Sequence, residues 1–263
     1  MENFFAILKK LIKKIIRKLI YSVKGVNWFF IDYGRFLSQM RDDSNHGSFA
    51  LRLYPILTDK FDQSGTAKGH YFFQDLIVAQ KIFKNNPEKH VDIGSRVDGF
   101  VAHVASFRHI EIFDIRPLST GVENISFIKS DLMNFSNENF YNYTDSISAL
   151  HSIEHFGLGR YGDPLDFNGH IKGLDSIYKI LKKEGKFYFS VPIGQQRIEF
   201  NAHRVFSLRY LLSLFESKYI LQSFSYVDDN EDLHQNIDIN YELIQNNCYC
   251  NHGCGIFEFI KYH

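Results

Sequence analysis

His90-Val91-Asp92-Ile93-Gly94-Ser95-Arg96-Val97-Asp98-Gly99 is an apolar run closed by an acidic residue and a glycine, and it leads into a helical pattern. Glycine at such a corner lets the backbone approach a ligand, and the helix behind it offers free N–H donors. Taken singly, a strand–glycine–helix signal is weak. Two later runs give it weight. Glu111-Ile112-Phe113-Asp114 closes a second apolar run with a carboxylate 22 residues after Asp92, the spacing at which a nucleotide fold receives ribose hydroxyls. Ser130-Asp131-Leu132 closes a third. Asp98 and Asp114 also have the simpler reading of helix caps; three strand-end carboxylates in order favour a nucleotide site.

Outward from this stretch, short apolar runs alternate with helical patterns. Strands are predicted at His90–Ile93, Ile110–Ile115, Ser126–Lys129, Ser146–Leu150 and Lys186–Val191. Helices are predicted at Tyr71–Asn85, where Asn85-Asn86-Pro87 forms the stop, at Gly99–Phe107 and at Ile171–Leu181. Such alternation implies a parallel sheet covered on both faces. The chain then departs from it: a helix at Ser207–Ser217 with a Ser N-cap precedes two strands, Tyr219–Val227 and Gly255–Lys261. The expected fold is α/β, a Rossmann-type, mostly parallel seven-stranded sheet with helices on both faces and a C-terminal antiparallel hairpin. That terminal hairpin, with the absence of GxGxxG, argues against a nicotinamide-dependent oxidoreductase.

Asp92-Ile93-Gly94-Ser95, Asp114, Asp131 and Leu181-Lys182-Lys183-Glu184-Gly185-Lys186 resemble successive motifs of the class I S-adenosylmethionine (SAM) dependent methyltransferases. His151-Ser152-Ile153-Glu154-His155 and Gly157-Leu158-Gly159-Arg160-Tyr161-Gly162-Asp163-Pro164 resemble, within that superfamily, a branch defined only as a domain of unknown function, over about Tyr54 to Phe215. The resemblance implies SAM as cofactor. The Gly94 loop would hold its methionyl part, Asp114 its ribose and Asp131 its adenine amino group, with Asp92, Ser95, Arg96, Leu132 and His151 completing the contacts. Arg96 stands where the family has its second motif glycine. It either reaches the SAM carboxylate or marks a chain that keeps the fold as a non-catalytic binding or scaffold protein.

Strand carboxyl ends face the ligand crevice in open α/β sheets, so the polar run after the fourth strand is the candidate chemistry. Methyl transfer to a hydroxyl needs in-line alignment and removal of a proton. His155 is the first candidate base, with Glu154 to orient it and as the second candidate. Arg160, Tyr161 and Asp163 would grip a saccharide or an anionic acceptor, and Asn201, His203 and Arg204, after the fifth strand, would form the opposite wall. The plainer reading of both segments is polar loops that cap their own turns. The expected acceptor is a hydroxyl of a glycan or lipid-linked saccharide, as in polysaccharide biosynthesis.

The chain of 263 residues has zero formal net charge, but the charge is segregated. Residues 1–24 carry seven cations against Glu2, a net +6, which leaves −6 for the remainder. An acidic body argues against nucleic acid. From Phe4 to Val23 apolar and basic pairs alternate at helical spacing, and the six cations among them exclude a comfortable bilayer span. A basic amphipathic helix over residues 1–24 is expected, lying on an anionic membrane or packed on protein. A cytoplasmic protein, peripheral on the inner face of the membrane, follows from the first reading. Residues 25–70 read as an irregular aromatic connector and cap, and residues 71–263 as the methyltransferase-like domain. Cys248, Cys250 and Cys254, with His252 among them, do not have the paired spacing of structural zinc sites. A turn with buried thiols in a reducing compartment is expected, with no metal.

Overall fold

The computed structural model describes residues 24–42, 49–119 and 121–262. The basic segment 1–23 therefore lies outside the described residues. The chain divides into two compact units, Met1–Thr66 and Ala67–His263.

In the first unit residues 24–42 form a helix, α1, where the sequence suggested an irregular connector. Trp28-Phe29-Phe30 places aromatics on every side and hides the period, but Phe29 and Tyr33, four residues apart, stack at 6.3 Å. Lys60 ties a later turn back to α1, bonding Asp32 at 2.6 Å and lying 4.5 Å from the Trp28 ring.

The second unit holds an eight-stranded sheet. Its strands are β1 (His90–Ile93), β2 (Ile110–Asp114), β3 (Ile125–Lys129), β4 (Thr144–Leu150), β5 (Leu181–Ile193), β8 (Tyr219–Val227), β9 (Leu233–His234) and β10 (Gly253–Lys261), in the order β3-β2-β1-β4-β5-β10-β8-β9. The first five are parallel, and β10 runs antiparallel between β5 and β8. A two-residue edge strand, β9, is added to the seven expected. A separate hairpin, β6 (Arg197–Glu199) with β7 (His203–Val205), occupies the segment read as a polar loop.

Alternation along the strands feeds two cores. One face carries Val91, Ile93, Phe187, Phe189, Phe257 and Phe259. It is covered by α4 (Gly169–Ile180) and α5 (Leu208–Phe215), whose cap Ser207 accepts from the Tyr210 amide as expected. The other carries Ile110, Ile112, Tyr188 and Ile256 under α2 (His70–Asn85) and α3 (Ala102–Ala105). α2 stops at Asn86, which takes the left-handed conformation at φ 40°.

Two segments differ from the sequence reading for local reasons. β5 begins at Leu181, because Leu181 pairs with Thr144 before the register shifts to Lys186 opposite Ser146; the polar run at 182–185 is a bulge inside a strand. The helix after β1 opens with a wide turn at Val97–Val101 before α3. Gly99 sits in that turn because a Cβ there would come within 2.6 Å of the Asp75 carboxylate on α2.

Phe187 is fully buried against the rings of Phe189, Phe215, Tyr219 and Phe259. Phe187→Ala should lower unfolding free energy by about 3–5 kcal/mol, read from denaturant midpoints. A loss under about 1 kcal/mol would mean that the aromatic layer repacks freely.

Candidate active site

The strand order reverses between β1 and β4, and the carboxyl ends there open into a cavity of about 440 Å³, within the range of small-molecule sites. Gly94, Asp114, Asp131, His151, Ser152 and His155 are among the residues that line it.

Asp92 does not line it. The residue is fully buried, and its carboxylate accepts from the Ser95 amide at 2.9 Å, the Ser95 hydroxyl at 2.6 Å and the Ser148 hydroxyl at 2.5 Å. Ser95 Oγ in turn accepts from the Leu150 amide at 3.1 Å. Asp92 therefore shapes the Gly94 loop and ties it to β4, which corrects its assignment as a direct cofactor contact. Burial raises its pKa from 3.8 to about 6, against these hydrogen bonds.

Gly94 has φ +65°, and a Cβ there would meet Ser152 at 3.3 Å and Asp114 Oδ2 at 3.8 Å. The loop thus presents bare backbone to the cavity. Asp114 holds Arg116: Oδ1 accepts from the Arg116 amide (2.8 Å) and Nε (3.1 Å), and Oδ2 from Nη2 (2.7 Å). A carboxylate has about four acceptor sites, so Oδ2 keeps one after its bond to Arg116. Arg116 then reaches over Tyr161, 4.3 Å from the ring. The sequence reading missed Arg116, whose only signal was a cation two residues after the strand-end acid. Asp131 caps the turn at Leu132–Asn134 through the Met133 amide. Arg96, also on the cavity wall, pairs with Asp98 at 2.8 Å and lies 5.0 Å from the Tyr71 ring.

After β4 the chain turns sharply at His151, φ 47°. His151 Nδ1 and Glu154 Oε1 are 2.7 Å apart, whereas His155 Nε2 is 3.7 Å from the same oxygen. Glu154 therefore orients His151 rather than His155, because a residue three along a tight turn faces back to its start. Glu154 is itself fully buried; burial works against its charge, but His151 holds its pKa below the usual carboxylate value. His155 is oriented by a group the sequence did not suggest, the Ala202 carbonyl, which lies 2.7 Å from Nδ1. A proton on Nδ1 leaves Nε2 as the lone-pair nitrogen. Burial lowers the His155 pKa, partly offset by Glu154.

The expected substrate residues divide. Asp163 binds the amides of Gly157 (2.7 Å), Gly159 (3.2 Å) and Tyr161 (3.1 Å). Arg204, buried, donates to the carbonyls of Phe156 (2.6 Å) and Phe167 (3.1 Å) and, at longer range, of Glu154 and Asp166. Both hold loop backbone, as the plainer reading had it, because a turn rich in glycine exposes amides and carbonyls that need partners. Tyr161 lines the cavity, and Arg160 bonds the Ala202 carbonyl at 3.0 Å. His203 lies 3.1 Å from Glu199 and 3.2 Å from His252, and Asn201 is exposed in the β6–β7 turn.

The family described as "Caenorhabditis protein of unknown function, DUF268" matches residues 105–252. The chain belongs to this DUF268 family. The matched region begins after the Gly94 loop and includes the whole polar run after β4. No curated protein matches the chain. Among solved structures, the 1,6-didemethyltoxoflavin-N1-methyltransferase of Burkholderia thailandensis, with its substrate and S-adenosylhomocysteine bound, is 12% identical with a TM-score of 0.50, over 91% of each chain. The N-methyltransferase NodS of Bradyrhizobium japonicum is 11% identical at 0.49, over 75% of this chain and 100% of that one. A SAM-dependent methyltransferase of Clostridium acetobutylicum is 11% identical, with a TM-score of 0.48 over 75% and 94% of the two chains. The DUF268 chain has the class I SAM-dependent methyltransferase fold.

Asp92 generates a pH test. Its folded pKa lies above its unfolded one, so the native state binds the extra proton and stability falls as pH rises from 3.8 to about 6. The difference in unfolding free energy between wild type and Asp92→Asn should shift in favour of the variant across that window, by up to ~3 kcal/mol. A flat difference would place the ionised carboxylate at no cost.

Proposed function

We propose that this protein transfers the methyl group of SAM to a hydroxyl of a saccharide acceptor, with His155 as general base. The observation that carries this reading is His155 on the cavity wall, its Nδ1 tied to a backbone carbonyl and Nε2 left to accept a proton. The cavity fits the cofactor on its own features: bare backbone at Gly94, a remaining acceptor site on Asp114 Oδ2, and Asp131 and Leu132 at the end of β3. Gly94 would face the methionyl part, Asp114 the ribose and Asp131 with Leu132 the adenine. When bound, SAM supplies the electrophilic methyl group. His155 takes the acceptor's proton at Nε2, and its lowered pKa keeps it neutral and competent near pH ~7. Ala202 holds the tautomer, and Asp163 with Arg204 holds the loop that carries His155 in place.

Support for a sugar-like acceptor comes from the surfaces beside His155. Tyr161 packs edge-on against the His155 ring at 5.2 Å, and Phe200 stands 75% exposed two residues before Ala202 in the same hairpin. Aromatic faces beside hydroxyl-bonding groups suit a ring with one apolar and one polar side. The basic segment 1–24 is the reason to prefer a lipid-linked saccharide. Among the described residues no helix is long and apolar enough to cross a membrane.

Labelled SAM screened against glycans and lipid-linked sugars tests the reading. His155→Ala and His155→Gln should each lower turnover by about 10²–10⁴-fold and remove the rising limb of the pH–rate profile below pH ~6.5. Asp114→Ala should instead raise the KM for SAM, by the loss of charge-assisted bonds worth about 1.5–3 kcal/mol. Near wild-type turnover in both His155 variants would make that residue structural.

A further inference from the structure

His151, which lines the cavity, also meets two side chains that the methyl-transfer account leaves unused. His70 at the start of α2, His151 after β4 and Cys254 in β10 come from three elements far apart in sequence, yet their ligand-type atoms all lie within 4.8 Å of one another. Cys254 is fully buried and the His151 side chain is 5% exposed. His151 Nε2 has no hydrogen-bond partner, although an unpaired buried ring nitrogen is costly. Its other nitrogen is held by Glu154. A carboxylate that fixes Nδ1–H and turns Nε2 towards a common point is the support that metal-bound histidines have.

We propose that His70, His151 and Cys254 bind a divalent transition-metal ion of the zinc class. Two imidazoles and a thiolate suit zinc, and three protein ligands leave its fourth position free for water or another exchangeable group. Ligand atoms around a tetrahedral zinc stand roughly 3.3–3.6 Å apart, from bonds of about 2.0–2.3 Å, so the three side chains need only a modest closure. His70 is the half-buried member and supplies it. The same residue lines a second, open cavity where Asp228, Asp229 and Glu231 outnumber Lys68, an approach open to a cation. The Cys254 thiol would release its proton to solvent on binding. Cys248 and Cys250 lie outside the group of converging ligand atoms.

The test uses the full chain, freed of metal by chelation and titrated with Zn²⁺ and with Co²⁺ alone. One equivalent of each should bind, and Co²⁺ should produce a thiolate-to-metal charge-transfer band in the near ultraviolet. Cys254→Ser should abolish the band. Glu154→Gln should weaken Zn²⁺ binding by about 10–100-fold, and His70→Ala, a change at a helix end that the core does not need, by at least as much. Failure of the wild type to bind either ion in stoichiometric amount would overturn the proposal. So would a charge-transfer band that survives in Cys254→Ser, since the sulfur would then be another cysteine.

Discussion

The Asp92 carboxylate, buried between β1 and β4 and accepting from Ser95 twice and Ser148 once, is the contact on which the site depends. Through Ser95 Oγ it also reaches the amide of Leu150, the last residue of β4, so the glycine corner and the His151 turn share one support. Ser148 lies 3.1 Å from His90, itself a fully buried histidine. A polar chain of this kind inside a sheet is expensive unless every member is satisfied. Here it fixes both strand ends that flank the cavity. The Gly94 and His151 corners of the cavity are thus extensions of the sheet.

Much of this was legible in the sequence because strand ends carry their own punctuation. The expected ends at Ile93 and Ile115 fall within a residue of the observed ends of β1 and β2, because the apolar runs stop there, even though Asp92 and Asp114 are themselves strand residues. The hydrogen-bond partners were not legible. Asp163 and Arg204 looked like substrate ligands because their types are common in such sites. Their real partners are the backbone amides and carbonyls of the Phe156–Phe167 segment, and backbone demand leaves no trace in residue identity. Glu154 was paired with its neighbour His155, whereas the turn at φ 47° swings it to His151. α1 escaped notice because aromatics on all its faces erase the helical period.

Two histidines four residues apart are thereby assigned opposite tasks. His155, with a carbonyl at Nδ1 and its pKa lowered by burial, is suited to pick up a proton and give it away. His151, with a carboxylate at Nδ1 and a thiol near Nε2, is suited to hold a positive charge in place. At His151 burial is outweighed by the raising influences of Cys254 and then Glu154, whereas at His155 burial wins.

The central claim is that the space between the Gly94 loop and Asp114 is a preformed cofactor site, and direct calorimetric titration of the purified full chain with S-adenosylhomocysteine tests it most plainly. The account predicts saturable one-to-one binding without acceptor, metal or partner present. A folded, cooperatively melting protein that gives no binding heat up to millimolar S-adenosylhomocysteine would contradict it.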